Sequence, residues 1–576
     1  MIEIDPSWEK GFSLLAACNQ KADDSALAVK SFKKVLKLKP GSAATHVNLG
    51  VALKKQGEIK TALDNFKSAL AIKPDYAIAY YNIGTTLKDQ GKLGKAIEAY
   101  TKAIAIEPDY AEAFYNMGVT LQEQRKMEEA TEAYTKALAI TPDHAEAYGN
   151  MGVTLQEQGK LEEAIAAYNR ALAIKPDYAE AWSNGAEALE KWNKLEQLDI
   201  WLERAFQILE PVPSDINFMK CKLLWRNKDI QGAITLISNI DSEAITPIRK
   251  QDYLNLKAKC FEASKDYELA FHCFKDMNSY AIKSKDYLRL DPESYFQKIK
   301  EQLTILDSNS LKKFAYHVTE QADVVPVFLV GFPRSGTTLL DTILRSHSSI
   351  DVVEEQPTVI SARAFIQKSG FSAIEQALPQ EVLVGARKAY ISELNKHREY
   401  LDKKDVLIDK LPLNLLEIPL IQQLYPHAKF ILALRHPLDS ILSCWMQNFK
   451  LNPAMANMVD LARTVEFFCL SMETFKICKT KYNLNVHQIK YEDVLENFRG
   501  EISALLEFLD LSWEDQVENY QKTALNRGRI NTPSYSQVVQ PIYQDSKYRW
   551  LNYENHLKQY ITQVQPWINE FGYSKY

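Results

Sequence analysis

The chain has 576 residues, of which 46% are hydrophobic and 25% are charged. This length predicts at least two domains, and the hydrophobic content is sufficient for packed cores. The formal net charge of -5 gives no broad basic field. It therefore argues against nucleic acid as a partner and restricts any anion site to a local cluster.

The seven cysteines show no Cys-x-x-Cys spacing, so we expect reduced thiols in the core. The first residues, MIEIDPSWEKGF, are acidic and contain a proline, which does not fit a secretory signal. No apolar run in the sequence approaches the length of a membrane span. These features predict a cytoplasmic protein without a membrane span, and they leave the oligomeric state open.

The N-terminal half contains a repeat. Prolines recur every 34 residues, at positions 40, 74, 108, 142 and 176. The unit that begins at Ala43 has small residues at two positions, Gly50 and Ala62, and an aromatic residue, Phe66, at a third. This is the tetratricopeptide (TPR) pattern, in which small residues let two antiparallel helices approach closely. It predicts the first helix pair at residues 44–56 and 59–71.

The outer repeats are less regular, as expected for units with only one neighbour to pack against. Residues 9–40 fit loosely, and residues 179–211 have Ala186 where the other repeats have the signature glycine. Beyond them the pattern blurs, although WRNKDIQGA and EASKDYELA resemble turns between paired helices. We assign residues 1–280 to an all-α repeat solenoid and residues 281–322 to a helical junction.

One asparagine recurs at the sixth position of the first helix of each repeat. This asparagine ladder comprises Asn48, Asn82, Asn116, Asn150 and Asn184. The first helices line the concave groove of such solenoids, and carboxamides can both donate to and accept from an extended peptide backbone. The ladder therefore predicts a groove for a protein or peptide substrate. The alternative is that each asparagine bonds a neighbouring helix or persists from repeat duplication.

The C-terminal half changes pattern. The β-type runs VPVFLVG, VLIDK, KFILALR and NVHQIKY alternate with helical segments, which predicts an α/β domain with a parallel sheet over residues 323–576. The first run leads into the loop GFPRSGTT and then a helix. Its two glycines lie five apart, as in a nucleotide triphosphate loop, but Thr337 stands where that loop needs lysine. The charge inside the loop is Arg334.

The strand followed by PRSGTT resembles the 5'-phosphosulfate loop of sulfotransferases, and in particular the protein-tyrosine sulfotransferases. These enzymes use 3'-phosphoadenosine 5'-phosphosulfate (PAPS) and release 3',5'-diphosphoadenosine, without a metal. The resemblance implies that the loop binds the donor through Arg334, Ser335, Gly336, Thr337 and Thr338. Backbone N–H groups and a helix N-terminus suit such a phosphate-like group.

The same resemblance implies a catalytic base. Glu355, in VVEEQP, lies 21 residues beyond Arg334, at the spacing of the catalytic glutamate of the tyrosine sulfotransferases. A base is required because the unperturbed pKa of a phenol is near 10. The alternative role, a solvated loop carboxylate, fits Glu354 better. The family arginine two positions after the base is Pro357 here, which bears on substrate preference.

Two further strand ends carry matching residues. Asp409 and Lys410 end VLIDK, where α/β folds place functional loops. The resemblance implies that Lys410 stabilises the leaving oxygen, and the alternative is a surface lysine. It also implies a 3'-phosphate site formed by Arg435 and Ser443, because an arginine fork fits phosphate oxygens. A further family arginine is replaced by Gln447.

The remaining matches lie near the C-terminus. Tyr491 corresponds to a tyrosine that contacts the nucleotide. The stretch TPSYSQVVQPIYQDSKYRW aligns with a cofactor-covering loop, in which Ser534 assists at the leaving oxygen and Arg549 contacts the nucleotide. Ser536 and Ser546 can take the serine role if the loop is shifted.

Together these features predict a PAPS-dependent sulfotransferase joined to a solenoid that presents the acceptor, with protein tyrosine the favoured acceptor. One alternative is transfer to a glycan, lipid or small phenol, with the repeats binding a partner protein. A second is a non-catalytic adaptor, and a third is an ATP-dependent kinase, which Thr337 disfavours. Many small-molecule sulfotransferases use a histidine base, but we expect neither His347 nor His436 to act as one.

Overall fold

The computed structural model describes residues 24–307, 325–372, 377–397, 405–526 and 547–573. For residues 524–526 it describes the backbone alone. The chain divides into two compact units, Met1–Thr246 and Pro247–Tyr576. This division differs from the predicted boundary at residue 280. The helix pair at 247–282, which we assigned to the solenoid, packs within the second unit.

The first unit is built from antiparallel helix pairs. Its helices are α1 Ser25–Leu38, α2 Ala43–Lys55, α3 Ile59–Ile72, α4 Ala77–Asp89, α5 Leu93–Ile106, α6 Ala111–Glu123, α7 Met127–Ile140, α8 Ala145–Glu157, α9 Leu161–Ile174, α10 Ala179–Lys191, α11 Leu195–Ile208, α12 Ser214–Arg226 and α13 Ile230–Asn239. The first predicted pair agrees with α2 and α3 to within one residue at each end. The predicted all-α repeat solenoid is confirmed.

Each regular pair closes where a glycine meets an aromatic ring. A Cβ atom added at Gly118 would lie 2.7 Å from the Tyr134 ring, and the corresponding glycines face rings in the same way. In α10 the sequence suggested that this glycine was lost to Ala186. The structure shows that Gly185 takes its place, because a Cβ there would lie 2.2 Å from the Trp201 ring. The glycine and its aromatic partner have both moved by one residue.

A left-handed residue marks the turn inside each helix pair. It is glycine at positions 57, 91 and 159, and a non-glycine residue at Arg125, Asn193, Lys228 and Lys265. Glycine is the residue that adopts a positive φ at least cost, so its replacement makes the later turns less recognisable in the sequence. The turns in WRNKDIQGA and EASKDYELA are therefore structurally equivalent to those of the regular repeats.

The second unit begins with four helices, α14 Pro247–Ala263, α15 Tyr267–Ile282, α16 Lys285–Arg289 and α17 Pro292–Asp307. The α/β part contains β1 Val327–Gly331, α18 Thr337–Arg345, β2 Ile350–Glu354, α19 Thr358–Lys368, α20 Gln380–Asn395, β3 Val406–Lys410, α21 Ile418–Leu424, β4 Lys429–Leu434, α22 Pro437–Trp445, α23 Leu461–Tyr482, β5 Asn485–Lys490, α24 Tyr491–Glu496, α25 Phe498–Phe508, α26 Tyr520–Asn526, α27 Glu554–Leu557 and α28 Ile561–Glu570. Short 3-10 turns include Pro412–Glu417 and Arg549–Tyr553.

The described strands form one parallel sheet in the order β2-β3-β1-β4-β5. This confirms the predicted α/β class with a parallel sheet. Four strands were predicted, and the fifth, β2, lies at one edge of the sheet. Because all strands run in the same direction, their carboxyl ends lie together at one end of the sheet, where such folds bind ligands. Glu354 pairs in register with Lys410, and Gly331 pairs with Ala433.

Within the described residues, no helix combines the length and apolar character that crossing a bilayer requires.

Candidate active site

The loop between β1 and α18 is held close to two neighbouring strands. A Cβ at Gly331 would lie 2.6 Å from the Ala433 carbonyl oxygen of β4. Gly336 has a φ of 97°, and a Cβ there would lie 3.0 Å from the Tyr491 ring at the start of α24, directly after β5. Both glycines are thus required by close approach, and Gly336 also by its backbone conformation. The predicted loop is present with α18 starting at Thr337.

Four of the predicted donor-site residues meet at this loop. The Arg334 Nε donates to Ser443 Oγ of α22 at 3.1 Å. The Arg435 Nη1 donates to the Arg334 carbonyl oxygen at 3.4 Å, and its guanidinium lies 5.2 Å from the centre of the Tyr491 ring. Arg334 has a φ of 68°, an uncommon conformation that tends to occur at functional sites.

The other loop residues supply hydrogen-bonding groups at a helix N-terminus. Ser335, Thr337 and Thr338 are all buried. The Ser335 Oγ has no hydrogen-bond partner among the residues that the structure describes. An unsatisfied hydroxyl beside the first N–H groups of α18, next to Arg334 and Arg435, suits a phosphate-like anion.

A lysine and two carboxylates meet at the ends of β2 and β3. Lys410 is fully buried, and its Nζ lies 2.6 Å from Glu355 Oε1 and 3.4 Å from Glu354 Oε1. The Glu355 N–H donates to the Lys410 carbonyl oxygen at 2.7 Å. Glu355 has a φ of 51° and its side chain is 36% exposed. The lysine is therefore enclosed, while the glutamate beside it remains accessible.

Two alternatives from the sequence do not fit this geometry. Lys410 is not a surface lysine, because none of its side chain is exposed. Glu354 is not a solvated loop carboxylate, because it ends β2, is only 9% exposed and contacts Lys410. The segment that we expected to be a loop at Glu354 is strand β2, which ends at this residue, and its place in the sheet explains why the side chain is enclosed.

Asp409 points away from this cluster and holds a neighbouring element. Its Oδ2 accepts from the Thr358 hydroxyl at 2.6 Å and from the Tyr390 hydroxyl at 2.8 Å. Burial raises the pKa of Asp409 to about 6, against the opposing effect of these two hydrogen bonds. Thr358 begins α19, three residues after Glu355, so Asp409 fixes the helix that follows the predicted base. No local pattern identifies Thr358 and Tyr390 as its partners.

Arg549, the predicted nucleotide contact, lies in an ion pair with α14. Its Nε and Nη2 each lie 2.5 Å from one carboxylate oxygen of Glu262, and the Tyr553 hydroxyl donates to the same group at 3.0 Å. The predicted Ser534, with its alternatives Ser536 and Ser546, lies outside the described residues.

Both histidines considered as bases are enclosed by packing. The His347 Nε2 lies 2.9 Å from the Ser512 carbonyl oxygen, and the side chain is buried. His436 is fully buried and its ring stacks on Trp550. Among the described residues, no hydrogen bond or ion pair joins either histidine to Glu355 or Lys410.

The asparagine ladder is bonded within the first unit. Asn116 Nδ2 donates to the Tyr81 hydroxyl of the preceding repeat at 3.1 Å, and Asn150 Nδ2 donates to the Tyr115 hydroxyl at 3.0 Å. Asn82 Nδ2 donates to a carbonyl oxygen of its own helix at 2.7 Å. Two of these asparagines therefore join adjacent repeats, which supports the structural alternative for part of the ladder.

No group of three or more histidine, cysteine, aspartate or glutamate side chains that could hold a metal ion occurs in the described part of the chain.

Comparison with known proteins identifies the class of the second unit. Residues 326–515 match the model of the sulfotransferase family. Residues 109–177 match a tetratricopeptide repeat model, and residues 52–91 and 84–125 match a TPR repeat model. These matches confirm the predicted combination of a TPR array and a C-terminal sulfotransferase domain.

Individual relatives are distant. An uncharacterized protein of Aquifex aeolicus is 29% identical over 53% of this chain and 40% of its own length. Protein-tyrosine sulfotransferase 2 of Gallus gallus is 24% identical over 48% of this chain and 75% of its own. Among solved structures, that of MamA protein is 27% identical over 30% of this chain and 94% of that chain, with a TM-score of 0.27. The chain thus spans less than half of the first relative.

Proposed function

We propose that this protein transfers a sulfuryl group from PAPS to an acceptor hydroxyl. The observation that carries the proposal is the 2.6 Å contact between the enclosed Lys410 and the accessible Glu355, at the same sheet edge as the loop of Arg334. A carboxylate that can take a proton and a cation that can stabilise a leaving oxygen are the two groups that this chemistry requires.

The residues of the loop fit the donor. Arg334, the Ser335 hydroxyl and the N-terminus of α18 would hold the 5'-phosphosulfate, while Arg435 and Ser443 would hold the 3'-phosphate. Tyr491 would support the loop and the nucleotide through its ring. When bound, PAPS supplies a sulfuryl group whose bond to the 5'-phosphate oxygen breaks as the acceptor oxygen attacks.

Glu355 and Lys410 have complementary roles in the proposed reaction. Glu355 would accept the proton of the acceptor hydroxyl, and its partial exposure gives the acceptor access. Lys410 would stabilise the negative charge that develops on the leaving oxygen. In the structure the lysine holds the carboxylate in place through a charge-assisted hydrogen bond, which orients the base before the acceptor arrives.

Protein tyrosine is the acceptor that we propose, presented by the groove of the repeats. The names of the relatives in animals and the presence of a repeat array support this choice. Transfer to a glycan, lipid or small phenol is the second candidate. The internal hydrogen bonds of Asn116 and Asn150 favour it, because those donors already bond the preceding repeat. A non-catalytic adaptor is disfavoured by the assembled cluster.

The test is transfer of sulfur-35 from labelled PAPS into a desalted host lysate by the purified full chain. We expect label in precipitable protein, and we expect Glu355→Gln to lower the rate by about 10²- to 10⁴-fold, the usual contribution of a general base. Glu354→Gln is the matched control, because it removes the neighbouring carboxylate on the same lysine. Its loss should be smaller than about tenfold.

Each outcome discriminates between the candidates. Label confined to small solutes would support sulfuryl transfer but reject protein as the acceptor. Transfer that is unaffected by Glu355→Gln would reject the assignment of the base. If ATP binds and 3',5'-diphosphoadenosine does not, the kinase alternative replaces the proposal.

A further inference from the structure

Two residues, Arg435 and His436, connect strand β4 to helix α22 and include one half of the proposed 3'-phosphate site. We call them the β4–α22 corner. Helix α22 begins with Pro437, which has no N–H group, so the N–H before it belongs to His436. That N–H donates to Glu492 Oε1 at 2.9 Å. Because it belongs to the planar peptide bond that follows Arg435, this hydrogen bond fixes the backbone that carries the guanidinium.

Helix α24 contacts the corner through two consecutive residues. Tyr491 places its ring 5.2 Å from the guanidinium of Arg435 and beside Gly336 of the donor loop. Glu492, the next residue, is only 3% exposed. A buried carboxylate is costly unless hydrogen-bond donors surround it. The donors to Glu492 therefore decide how firmly it holds the corner.

A second donor to Glu492 comes from Tyr573, which follows helix α28. Its hydroxyl donates to Glu492 Oε2 at 2.9 Å. Gly572, with a φ of 66°, turns the chain after α28 and directs Tyr573 towards this carboxylate. Burial, and then the Glu492 carboxylate, raise the pKa of Tyr573 above its ordinary value, so the hydroxyl keeps its proton and remains a donor. The two oxygens of Glu492 thus join Tyr573 to the corner.

Aromatic rings support the corner from its other side. The ring centres of Tyr573 and His436 lie 5.2 Å apart, and the His436 ring stacks on Trp550. The Trp550 N–H donates to Asp439 Oδ1 at 2.9 Å, and Asp439 Oδ2 lies 3.9 Å from Arg435 Nη2. Both Trp550 and Tyr573 come after residue 515, where the match to the sulfotransferase family ends. A segment outside that match therefore supports the corner.

The position of the corner matters because an arginine binds phosphate through N–H groups in a fixed planar arrangement. A shift of the backbone moves all of these groups together. The corner is also joined to the donor loop, since Arg435 Nη1 donates to the Arg334 carbonyl oxygen at 3.4 Å. Removing one donor from the buried Glu492 would weaken its hold on the His436 N–H and so change the direction of the guanidinium.

We propose that Tyr573 is a positioning residue for recognition of the 3'-phosphate, and that it acts through Glu492 on the backbone of Arg435. This inference rests on the proposed function, since it assumes that Arg435 binds the 3'-phosphate of a nucleotide of the PAPS type. Tyr573 holds Glu492, Glu492 holds the peptide bond after Arg435, and the corner presents the guanidinium to the nucleotide.

The test compares the binding of two nucleotides to the full chain by titration calorimetry. The first, 3',5'-diphosphoadenosine, has a 3'-phosphate, and the second, adenosine 5'-monophosphate, does not. Tyr573→Phe removes the hydroxyl and keeps the ring on His436. It should weaken binding of the diphosphate by about tenfold, as for the loss of a hydrogen bond to a charged group, and binding of the monophosphate by less than about threefold.

Glu492→Gln keeps the shape of the side chain but only one acceptor oxygen, so it should weaken the diphosphate selectively in the same way. The matched control is Tyr553→Phe, which removes another hydroxyl after residue 515, one that donates to Glu262. It should leave the ratio of the two affinities unchanged. In an Arg435→Met background, Tyr573→Phe should change the affinity for the diphosphate by less than about twofold, because the residue through which it acts is absent.

Unchanged affinity of Tyr573→Phe for the diphosphate would overturn the inference and leave the proposed function intact. Equal weakening for both nucleotides would also overturn it, since the effect would not depend on the 3'-phosphate. A tenfold loss that persists in the Arg435→Met background would show that Tyr573 does not act through Arg435. If the wild type binds neither nucleotide, the proposed function fails together with the inference.

Discussion

The regular helix pairs of the first unit and the pair α14–α15 of the second have the same backbone arrangement, two antiparallel helices joined by a tight turn. They differ in the side chains that pack against their neighbours. Both have a left-handed residue at the turn, glycine at 91 and Lys265 in the later pair. In the first unit the buried contacts between helices are neutral, such as Gly118 on Tyr134 and Asn116 on Tyr81, while ion pairs such as Lys54 with Asp89 join repeats at partly exposed positions. In α14 the face is charged.

This difference shows what the repeat pattern does and does not determine. The pattern specifies two antiparallel helices and the turn between them. It does not specify which unit the pair joins, because that depends on partners far away in the chain, such as Arg549 for Glu262. The polar face of α14 is paired with residues of the α/β part, such as Asn448 and Arg549, and these partners lie far from α14 in the sequence.

The largest effect is expected at the candidate active site of the second unit. Lys410→Met should lower kcat by about 10³-fold with a much smaller change in nucleotide affinity, because the lysine acts mainly on charge that develops in the transition state. The measurement is label transfer at saturating PAPS. Lys396→Met, at an exposed lysine after α20, is the control and should retain full activity. A loss that appears only in KM would contradict this role.

The buried carboxylate of Asp409 should make the stability of the second unit depend on pH. Because burial raises the pKa of Asp409 to about 6, the folded chain holds a proton that the unfolded chain has released between about pH 4 and pH 6. Its contribution to stability is therefore present at low pH and is lost as the pH rises through 6. The size of the effect is about 3 kcal/mol for a shift of about two units.

Asp409→Asn should remove this dependence. The unfolding temperature of the variant, measured against wild type by calorimetry, should gain relative to wild type as the pH rises from 4 to 7. The two hydroxyls of Thr358 and Tyr390 can still donate to the asparagine oxygen. Parallel curves for the two proteins over this range would show that the carboxyl titrates normally.

Steric overlap should disrupt the packing between the helices of the regular repeats. Gly118→Ala places a Cβ 2.7 Å from the Tyr134 ring and should destabilise the first unit by about 1 to 3 kcal/mol. Gly94→Ala is the matched control, because the nearest atom to its Cβ would lie 4.0 Å away. That change should be neutral or slightly stabilising. Thermal unfolding followed by circular dichroism distinguishes them, and equal stability of both variants would contradict the packing account.

The smallest expected effect concerns the ladder. Replacing Asn82, Asn116 and Asn150 together by alanine should raise KM for a protein acceptor by about tenfold, while transfer to a small phenol stays unchanged. Unchanged transfer to protein would reject the groove.

A control separates groove contacts from bonds between repeats. Tyr81→Phe with Tyr115→Phe removes the hydroxyl partners of Asn116 and Asn150 but leaves both carboxamides. The pair should retain protein transfer. If it lowers transfer as much as the alanine variant, the ladder acts by joining the repeats.

Much of the fold and part of the site could be predicted from local patterns. The loop and four strands follow from contiguous residues whose spacing is diagnostic. Strand β2 was missed because IDVVE is a short edge strand that runs straight into the charged residues Glu354 and Glu355. In α10, a shift of one residue in both Gly185 and Trp201 preserved the contact but hid it from a fixed register.

The remaining features depend on contacts between distant parts of the chain. Asp409 meets Thr358 and Tyr390 only after the sheet and two helices have assembled. Likewise, Glu262 of α14 meets Arg549 and Tyr553 only after the chain has folded. Spacing in the sequence cannot indicate such a cluster, because its members come from separate elements.

Hydrogen–deuterium exchange of the full chain, with and without 3',5'-diphosphoadenosine, is the measurement that tests the donor site of the second unit. We expect slower exchange in residues 331–338 and in 435–443, with no change in the repeats from α4 to α9. Protection of the repeats as strong as that of the loop would contradict a nucleotide site confined to the second unit. No protection of the loop would contradict the donor site itself.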